Sequence, residues 1–330
     1  MNIREKTLII GGAGFIGTNL TQYLADNGVS TIVADTQRRL DKYAIPIPGV
    51  TYVPLEWSKQ STLPFFSDVK NVVHMYCATN PATSMVDITN DAELNTLGTI
   101  NLLEQVSKLN IEKFVFLSSG GTVYGNSSVS TIDESHPTSP VSAYGVSKLS
   151  CEKYVSLYAN TKNFSYLNIR LGNPYGEYQL QGTPIGVIAN FVLRASRGET
   201  IDIFGEGDCV RDFIHIDDVS HTLFLALLKQ KLNGTFNLGS GLGYSINEII
   251  CKIEQNIGSK ITTNHLPARN SDVKSIILQS SKLQNEINYR PKIDMDAGIA
   301  SLCQECRLLQ QRSNYRARAT NSSNAIRYSS

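Results

Sequence analysis

Two residues near the middle of the chain carry side chains that could transfer a proton. Tyr144 and Lys148 are four positions apart, and this spacing places a phenol and an ammonium group on one face of a helix. Hydroxyl side chains precede them at Ser118, Ser119 and Thr122, where an apolar run ends. A Tyr-x-x-x-Lys pair is common by chance and alone would indicate only an exposed helix. Its interpretation therefore depends on the elements around it.

A glycine-rich turn near the start of the chain has the spacing of a phosphate-binding loop. Gly11, Gly14 and Gly17 follow an apolar strand and open a helix, in the order Gly-Gly-Ala-Gly-Phe-Ile-Gly. Glycines permit a tight turn, let backbone N–H groups approach a pyrophosphate, and let the helix pack closely against the strand. We therefore predict that this turn binds a dinucleotide.

An acid at the end of the second predicted strand indicates which dinucleotide binds. Asp35 follows the glycines by about twenty residues, where its carboxylate can accept hydrogen bonds from ribose hydroxyls. The same negative charge would repel a 2′-phosphate, which favours NAD over NADP. Arg38 and Arg39 follow closely and could partly reverse this preference.

Strand and helix patterns alternate through the first half of the chain. Short β-branched runs predict six strands, and the helices between them include long ones over residues 91–109 and 143–158. Strands of about five residues joined by helices of about 10–20 residues form the crossover units of a doubly wound parallel sheet. We predict an α/β fold, with a doubly wound parallel Rossmann sheet and a smaller C-terminal α/β substrate-binding cap.

The chain divides into three predicted parts. Residues 1–175 would form the dinucleotide-binding domain, and residues 176–310 the cap, where the regular alternation loosens. Residues 311–330 are rich in Ser, Asn and Arg and contain no acid. We predict that they form a disordered basic tail, because such a composition buries little apolar surface.

The composition excludes several classes of protein. With 30 Lys and Arg against 29 Asp and Glu, the formal net charge is +1, so no chain-wide field attracts nucleic acid or an anionic membrane. No apolar stretch approaches the roughly 18–20 residues that a membrane span needs. Six scattered cysteines are few for 330 residues and indicate free thiols in a reducing compartment. We therefore expect a cytoplasmic protein without a metal site.

Several longer motifs carry a resemblance to a known family. They are Asn-Thr-Leu-Gly-Thr at 95–99, Arg-Leu-Gly-Asn-Pro-Tyr-Gly at 170–176, Arg-Asp-Phe-Ile-His-Ile-Asp-Asp at 211–218 and Asn-Leu-Gly-Ser-Gly at 237–241. Together with the glycine-rich turn and the Tyr-x-x-x-Lys pair, they resemble the extended short-chain dehydrogenase/reductase family. Within that family the chain is similar to nucleotide-sugar epimerases of the UDP-glucose 4-epimerase type.

The resemblance implies NAD-dependent epimerisation of a nucleotide sugar at C4, through a 4-keto intermediate. Tyr144 would be the acid and base on the sugar hydroxyl. Lys148 would bind the nicotinamide ribose and, with the positively charged nicotinamide ring, favour the phenolate. Where the family usually carries a catalytic Ser or Thr, this chain has Gly120. We therefore expect Ser119 or Thr122 to supply the missing hydroxyl.

The resemblance also implies a set of cofactor contacts and a set of substrate contacts. The cofactor residues are Gly11, Gly14, Phe15, Ile16, Gly17, Asp35, Glu56, Trp57, Met75, Asn95, Ser118, Tyr144, Lys148 and Leu171. The substrate residues are Asn173, Phe204, Arg211, Arg269 and Asp272. The two arginines would meet the diphosphate, since fork-shaped donors pair well with phosphate oxygens. Glu56 and Trp57 stand where the family contacts adenine and could substitute by hydrogen bonding and stacking, although Trp57 could equally fill the interior of the fold.

Two alternatives remain open beside the epimerase. A reductase, or another epimerase acting on a nucleotide-linked 4-keto-6-deoxy sugar, would share these motifs, and the reductase would consume NAD(P)H. A non-catalytic NAD-binding module is a further alternative, although such a module has no need of Tyr144 and Lys148. The resemblance finally implies a homodimer, formed through the helices at 91–109 and 143–158.

Overall fold

The computed structural model describes residues 6–58, 68–129, 131–180, 186–268 and 273–327, with side chains as far as residue 311. The strands are β1 (Lys6–Ile10), β2 (Thr31–Asp35), β3 (Val50–Pro54), β4 (Val69–His74), β5 (Lys113–Ser119), β6 (Thr131–Ile132), β7 (Ser165–Leu171), β8 (Asn173–Tyr175), β9 (Ile201–Phe204), β10 (Val210–His215), β11 (Gly234–Leu238), β12 (Gly243–Ser245), β13 (Thr263–Leu266) and β14 (Ser275–Leu278).

Helices connect most of these strands. They are α1 (Phe15–Asp26), α2 (Gln37–Tyr43), α3 (Pro81–Ser84), α4 (Ile88–Asp91), α5 (Gly98–Val106), α6 (Ala143–Lys162), α7 (Val187–Ser196), α8 (Ile216–Leu228), α9 (Ile246–Ile257), α10 (Ser281–Ile287) and α11 (Met295–Arg327). A π-helical segment, Ala92–Leu97, joins α4 to α5. The helix predicted over residues 91–109 is therefore not regular along its whole length.

Seven parallel strands form a large sheet in the order β11-β7-β5-β4-β1-β2-β3. The chain adds β2 and β3 on one side of β1 and then returns to place β4 on the other side. Dinucleotides bind at such a change of direction, outside the carboxyl ends of the strands. The predicted doubly wound parallel sheet is confirmed, and it places the glycine-rich turn at this point.

Alternate residues of the central strands point to opposite faces, and helices cover both faces. Ile9 belongs to one apolar cluster, together with Leu20 of α1 and Val219 of α8. Its neighbour Leu8 belongs to a second cluster, together with Val155 of α6. Because both faces are buried, the central strands contain continuous apolar runs, such as residues 8–10 of β1 and 114–117 of β5, rather than a strict alternation. This explains why short β-branched runs were enough to predict them.

The C-terminal half forms smaller sheets but also returns to the large one. The order β12-β10-β14-β6 makes a second sheet, with β8 beside β10, and β9 pairs with β13. However, α8 packs in the same cluster as α1, and β11 is the edge strand of the large sheet. Conversely, β6 comes from the N-terminal half and pairs with β14. A boundary in sequence at residue 175 therefore does not coincide with a boundary in space.

The last helix extends further than the sequence predicted. Its first half is held by apolar contacts, with Leu302, Cys303 and Cys306 buried against α7 and α9. Helix α11 then continues through Arg327, where we expected disorder from residue 311. Residues 311–327 contain neither Gly nor Pro, so no helix-terminating residue interrupts it. In the part of the chain that the structure describes, no helix is long and apolar enough to cross a membrane.

Candidate functional site

The glycine-rich turn follows β1 and leads into α1. Gly11 has φ +82°, and a Cβ there would lie 2.5 Å from the backbone nitrogen of Tyr76. A Cβ on Gly17 would lie 2.5 Å from Cα of Gly12. Both positions therefore require glycine. Gly14 is the N-cap of α1 and offers no side-chain acceptor, so the first amides of this helix can serve an anion such as a pyrophosphate.

Asp35 lies beside this turn, as predicted. Its carboxylate is 1% exposed and accepts hydrogen bonds from the backbone nitrogens of Ala13 (3.1 Å) and Thr36 (2.8 Å). The Nε atom of Arg39 lies 3.4 Å from Oδ1 of Asp35. Burial raises the pKa of Asp35, while Arg39 lowers it in part. Arg39, which could partly reverse the predicted preference for NAD, thus pairs with Asp35.

The residues predicted to contact the adenine lie in different environments. Glu56 is exposed, whereas Trp57 is 9% exposed and packs in the interior. The indole Nε1 donates to the carbonyl oxygen of Leu94 (2.8 Å), and the ring stacks on Tyr76 with centroids 4.4 Å apart. Of the two interpretations of Trp57, this geometry favours interior packing. An adenine contact by Glu56 stays a prediction.

Four other predicted cofactor residues lie along the same edge of the sheet. Phe15 and Ile16 begin α1, are half-buried and pack against the core cluster that contains Ile9. Met75 follows β4, and its backbone nitrogen donates to the carbonyl oxygen of Ile10 (2.9 Å). Leu171 is buried at the end of β7. Their contacts with the cofactor stay predictions.

Tyr144, Lys148 and Ser119 come together at the end of β5. The Nζ atom of Lys148 lies 5.7 Å from the centroid of the Tyr144 ring and donates to the carbonyl oxygen of Leu117 (2.7 Å). Ser119 lies close enough to the Tyr144 phenol to lower its pKa. At the start of α6, the backbone nitrogen of Tyr144 donates to Oγ of Ser84 (3.1 Å). The phenol, the ammonium and one hydroxyl therefore form a cluster, as the sequence predicted.

The groups around Tyr144 act on its ionisation in both directions. Burial raises the pKa of the phenol, whereas Lys148 and Ser119 lower it in part. Cys77 and Asp91 raise this pKa further. For Lys148, burial lowers the pKa, but the acidic groups around it, Cys77 and Tyr144 foremost, raise it by more. Lys148 is therefore charged at neutral pH and acts on Tyr144 in the predicted direction.

The three candidate hydroxyls differ in what they contact. Ser118 donates to Oε1 of Glu152 (2.5 Å) and is thereby already engaged. Oγ1 of Thr122 is buried without a hydrogen-bond partner among the described residues. Of the three, Ser119 is the one whose side chain lowers the pKa of the Tyr144 phenol. Ser119 is thus the better-placed hydroxyl for proton chemistry, and Thr122 is the second candidate.

The family usually carries a hydroxyl residue at the position of Gly120. In this protein a neighbouring side chain occupies the space that such a residue would need. A Cβ at Gly120 would lie 2.5 Å from Cδ1 of Leu278 and 3.0 Å from the carbonyl oxygen of Arg170. Leu278 is fully buried at the end of β14. A serine at position 120 would therefore require this leucine to move.

The substrate residues of the cap are only partly described. Asn173 of β8 donates from Nδ2 to the carbonyl oxygen of Asp212 (3.2 Å), next to Arg211. Arg211 is half-buried and donates to the carbonyl oxygen of Val210 (2.9 Å). Phe204 is half-buried in β9. The predicted contacts of Arg269 and Asp272 lie outside the described residues.

Two polar residues near the cluster have contacts that the sequence did not predict. Asn95 uses its side-chain amide for hydrogen bonds to Ala78, Thr79 and Asp91, and its contact with the cofactor stays a prediction. Asp91 is a fully buried carboxylate and was not predicted to take part in the site. Its position four residues before Asn95, on the same helical face, was the pattern that could have indicated it.

Comparison with known proteins places these features in context. A model of the NAD dependent epimerase/dehydratase family matches residues 7–239. The chain is 34% identical over 293 residues to a putative UDP-glucose 4-epimerase of Methanocaldococcus jannaschii, covering 88% of this chain and 95% of that protein. It is 28% identical over 316 residues to dTDP-4-dehydro-6-deoxyglucose reductase of Escherichia coli, covering 92% and 98%. The solved Thermus thermophilus UDP-glucose 4-epimerase in complex with NAD has a TM-score of 0.79 and 27% identity, covering 92% and 99%.

Proposed function

Because the chain belongs to the NAD-dependent epimerase/dehydratase family, we propose that it epimerises a nucleotide-linked hexose at C4, with UDP-glucose and UDP-galactose as the first candidate substrates. The observation that carries this proposal is the cluster of Ser119, Tyr144 and Lys148 at the carboxyl end of β5. Strand β5 lies two strands from β1. The cluster and the glycine-rich turn therefore share one edge of the sheet.

The residues along this edge fit NAD. Close packing at Gly11 and Gly17 keeps the turn tight, and the first amides of α1 have no side-chain cap, so they can bind a pyrophosphate. Asp35 can accept hydrogen bonds from the adenosine ribose. When bound, NAD supplies a hydride acceptor and donor for C4 of the sugar. Hydrogen bonds from the backbone nitrogens of Ala13 and Thr36 hold the Asp35 carboxylate, which favours NAD, in place.

The protein's own contribution is proton transfer at the C4 oxygen. Tyr144 removes the proton of the C4 hydroxyl. It returns the proton after the 4-keto sugar has rotated to present its opposite face. The charged Lys148 favours the phenolate that this step needs. Ser119, which lies near the phenol, is the first candidate to bind the same sugar oxygen, with Thr122 as the second. Asn173 and Arg211 would hold the diphosphate of the nucleotide.

A turnover measurement without added cofactor tests this function. Purified protein is incubated with UDP-glucose, and the products are followed by NMR and mass spectrometry. We expect UDP-galactose to form with no net consumption of NAD(P)H, because the hydride returns to the sugar. As a matched control, Tyr144→Phe should keep its NAD content and lose turnover by about 10²-fold or more, since the general base is removed.

The second candidate function is a reductase, favoured by the similarity to the Escherichia coli reductase. Its substrate would be a nucleotide-linked 4-keto-6-deoxy sugar, and it would oxidise one NAD(P)H for each product formed. Such stoichiometric oxidation, with no interconversion of UDP-hexoses, would contradict the epimerase proposal and support this one.

We also infer a homodimer formed through α5, α6 and the residues that directly precede each of these helices. Of the eleven large apolar side chains that are exposed in the described part of the chain, eight lie at residues 85–97 and 141–157. Val146 and Leu157 of α6 are 50% and 54% exposed and lie about three turns apart, on one face of the helix. Clustering of this kind marks an interaction surface.

The cytoplasm is the compartment that we propose. All six cysteines are free thiols, and two of them, Cys303 and Cys306, are buried in the apolar cluster of the cap. Secreted proteins more often use cysteines in disulfides. The proposal therefore rests on thiol usage and on the cofactor.

A further inference from the structure

Asp91 is a carboxylate that the proposed mechanism does not use. It ends α4, directly before the π-helical segment, and has no exposed surface. Oδ1 accepts hydrogen bonds from Nδ2 of Asn95 (2.8 Å) and from the Thr79 hydroxyl. Oδ2 accepts from the Ser147 hydroxyl (2.6 Å). A buried charge with three donors from three separate segments joins those segments firmly, because leaving any of the groups unpaired is costly.

The first segment that Asp91 holds is the loop after β4. Besides donating to Asp91, Asn95 accepts a hydrogen bond from the backbone nitrogen of Ala78 (2.9 Å) and donates to Oγ1 of Thr79 (2.8 Å). This loop also contains Cys77, whose Sγ lies 3.4 Å from Oδ1 of Asn95. Two residues before Ala78, the backbone of Tyr76 abuts Gly11. Asp91 and Asn95 thus fix the loop that borders the glycine-rich turn.

The second segment is the turn of α6 that carries the proton-transfer residues. Ser147 follows Tyr144 by three positions and directly precedes Lys148. Its hydroxyl bond to Asp91 therefore ties this turn to the π-helical segment, on the side of the helix that faces the core. The π-helical geometry agrees with such a role, since this rare form occurs frequently at functional sites.

We propose that Asp91 is a positioning residue for the reaction: through Ser147, Asn95 and Thr79 it holds the turn of α6 that bears Tyr144 and Lys148 against the loop that follows β4. The inference rests on the proposed function for the roles of Tyr144 and Lys148. It goes beyond that function by assigning a residue that touches neither substrate nor cofactor.

The charge of Asp91 also acts on Tyr144. The groups that face the phenol are Lys148 and Ser119, which lower its pKa, and Cys77 and Asp91, which raise it. His74, beside Lys148, is buried and has its pKa lowered well below its ordinary value, so it adds no positive charge at neutral pH. Removing the Asp91 charge while keeping its shape should therefore move the ionisation of Tyr144 to lower pH.

Two substitutions at Asp91 distinguish the effect of its charge from the effect of its hydrogen bonds. In Asp91→Asn, the amide can still accept from Asn95 and Thr79 and can donate to Ser147, so the turn stays in place. We expect kcat at high pH within about threefold of the wild type, with the acid limb of the pH profile displaced to lower pH. In Asp91→Ala the contacts are lost, and we expect kcat to fall about tenfold or more at every pH, because misplaced groups react slowly.

Two serine variants on α6 provide the matched control. Ser147→Ala should lower kcat severalfold with little change in KM. Ser156→Ala should have no effect, because among the described residues the Ser156 hydroxyl bonds within its own helix, to the carbonyl oxygen of Lys153 (2.9 Å). Equal activity of both serine variants and of Asp91→Ala, with the pH profile of the wild type in Asp91→Asn, would overturn the proposal.

A titration that needs no substrate keeps this test separate from the function. The near-ultraviolet absorbance of tyrosinate is followed against pH in the NAD-bound protein, and the contribution of Tyr144 is obtained by difference from Tyr144→Phe. Asp91→Asn should shift that contribution to lower pH. If no UDP-hexose is converted, the proposed function fails. The titration still tests the effect of Asp91 on Tyr144 in that case. An unshifted titration curve in Asp91→Asn contradicts the inference.

Discussion

At the scale of single residues, the Tyr144 phenol shows what residue type and spacing predict and what they do not. The Tyr-x-x-x-Lys spacing predicts the contact with Lys148, which lowers the pKa of the phenol. The opposing influences are burial, Cys77 and Asp91. These residues lie much earlier in the chain and reach Tyr144 only through folding. Lys148 alone therefore does not offset the environment of Tyr144, and the spacing of Tyr144 and Lys148 carries no information about these remote residues.

A substitution at Gly120 tests how the missing hydroxyl residue is compensated. Gly120→Ser should lower the free energy of unfolding by about 1–3 kcal/mol, because the new Cβ would lie 2.5 Å from Cδ1 of Leu278. Chemical denaturation measures the effect. Gly121→Ser is the matched control, since a Cβ at Gly121 meets nothing within 4 Å. Its effect should stay within about 0.5 kcal/mol.

A double variant separates the clash from a general intolerance of serine. In Gly120→Ser/Leu278→Ala, the loss of stability should be clearly smaller than the sum of the two single losses, because the smaller side chain makes room for the serine. Additive losses would show that Leu278 is not what excludes a side chain at position 120.

At the scale of elements, a buried ion pair joins α6 to the large sheet. Arg170 of β7 donates to both carboxylate oxygens of Glu152, with its Nη2 2.8 Å from Oε2. Ser118 of β5 donates to the same carboxylate, and Arg170 also donates to the Tyr124 hydroxyl (3.0 Å). Tyr124 in turn donates to Asn237 of β11 (2.6 Å). Three strands and one helix thus share one network. It includes Ser118, the neighbour of Ser119 in the Tyr144 cluster.

Breaking this pair should be costly. Glu152→Gln leaves the Arg170 guanidinium buried without its counter-charge, and we expect the free energy of unfolding to fall by about 3–5 kcal/mol. Lys252→Met removes a partner from the more exposed pair with Asp296 and should cost at most about 1 kcal/mol. Thermal and chemical denaturation compare the two. Similar losses in both variants would mean that burial does not distinguish these pairs.

At the scale of the whole molecule, the two halves of the chain are interleaved. The large sheet takes its edge strand β11 from the second half, and the small sheet takes β6 from the first. The two halves of the chain therefore cannot separate without breaking strand pairs in both sheets. The surface left outside this arrangement, along α6 and residues 85–97, is where exposed apolar side chains concentrate.

The inferred dimer is tested on that surface. Leu157→Glu places a charge on the apolar face of α6, and we expect the protein to sediment as a monomer, because burying an unpaired carboxylate opposes association. Leu242→Glu is the control, since Leu242 is similarly exposed, at 55%, but lies outside this face. A wild-type protein that is already monomeric at micromolar concentration would contradict the dimer.

Patterns that are local in sequence determined much of this protein. The glycine-rich turn, Asp35 and the Tyr144–Lys148 pair were recognisable because each depends on spacing within one strand, one turn or one helix. The parallel sheet followed from short apolar strands, since burial of both faces removes alternation. Helix α6 begins at residue 143, where its pattern predicted.

Only the tertiary structure decided the features that depend on distant contacts. It placed Trp57 in the interior, filled the space beside Gly120 with Leu278, and brought Asp91 to Ser147 from another segment. It also extended α11 past residue 311 and returned β11 to the large sheet. The physical reason is the same throughout: burial and close packing are set by residues remote in sequence, and no periodicity or spacing within one segment records them.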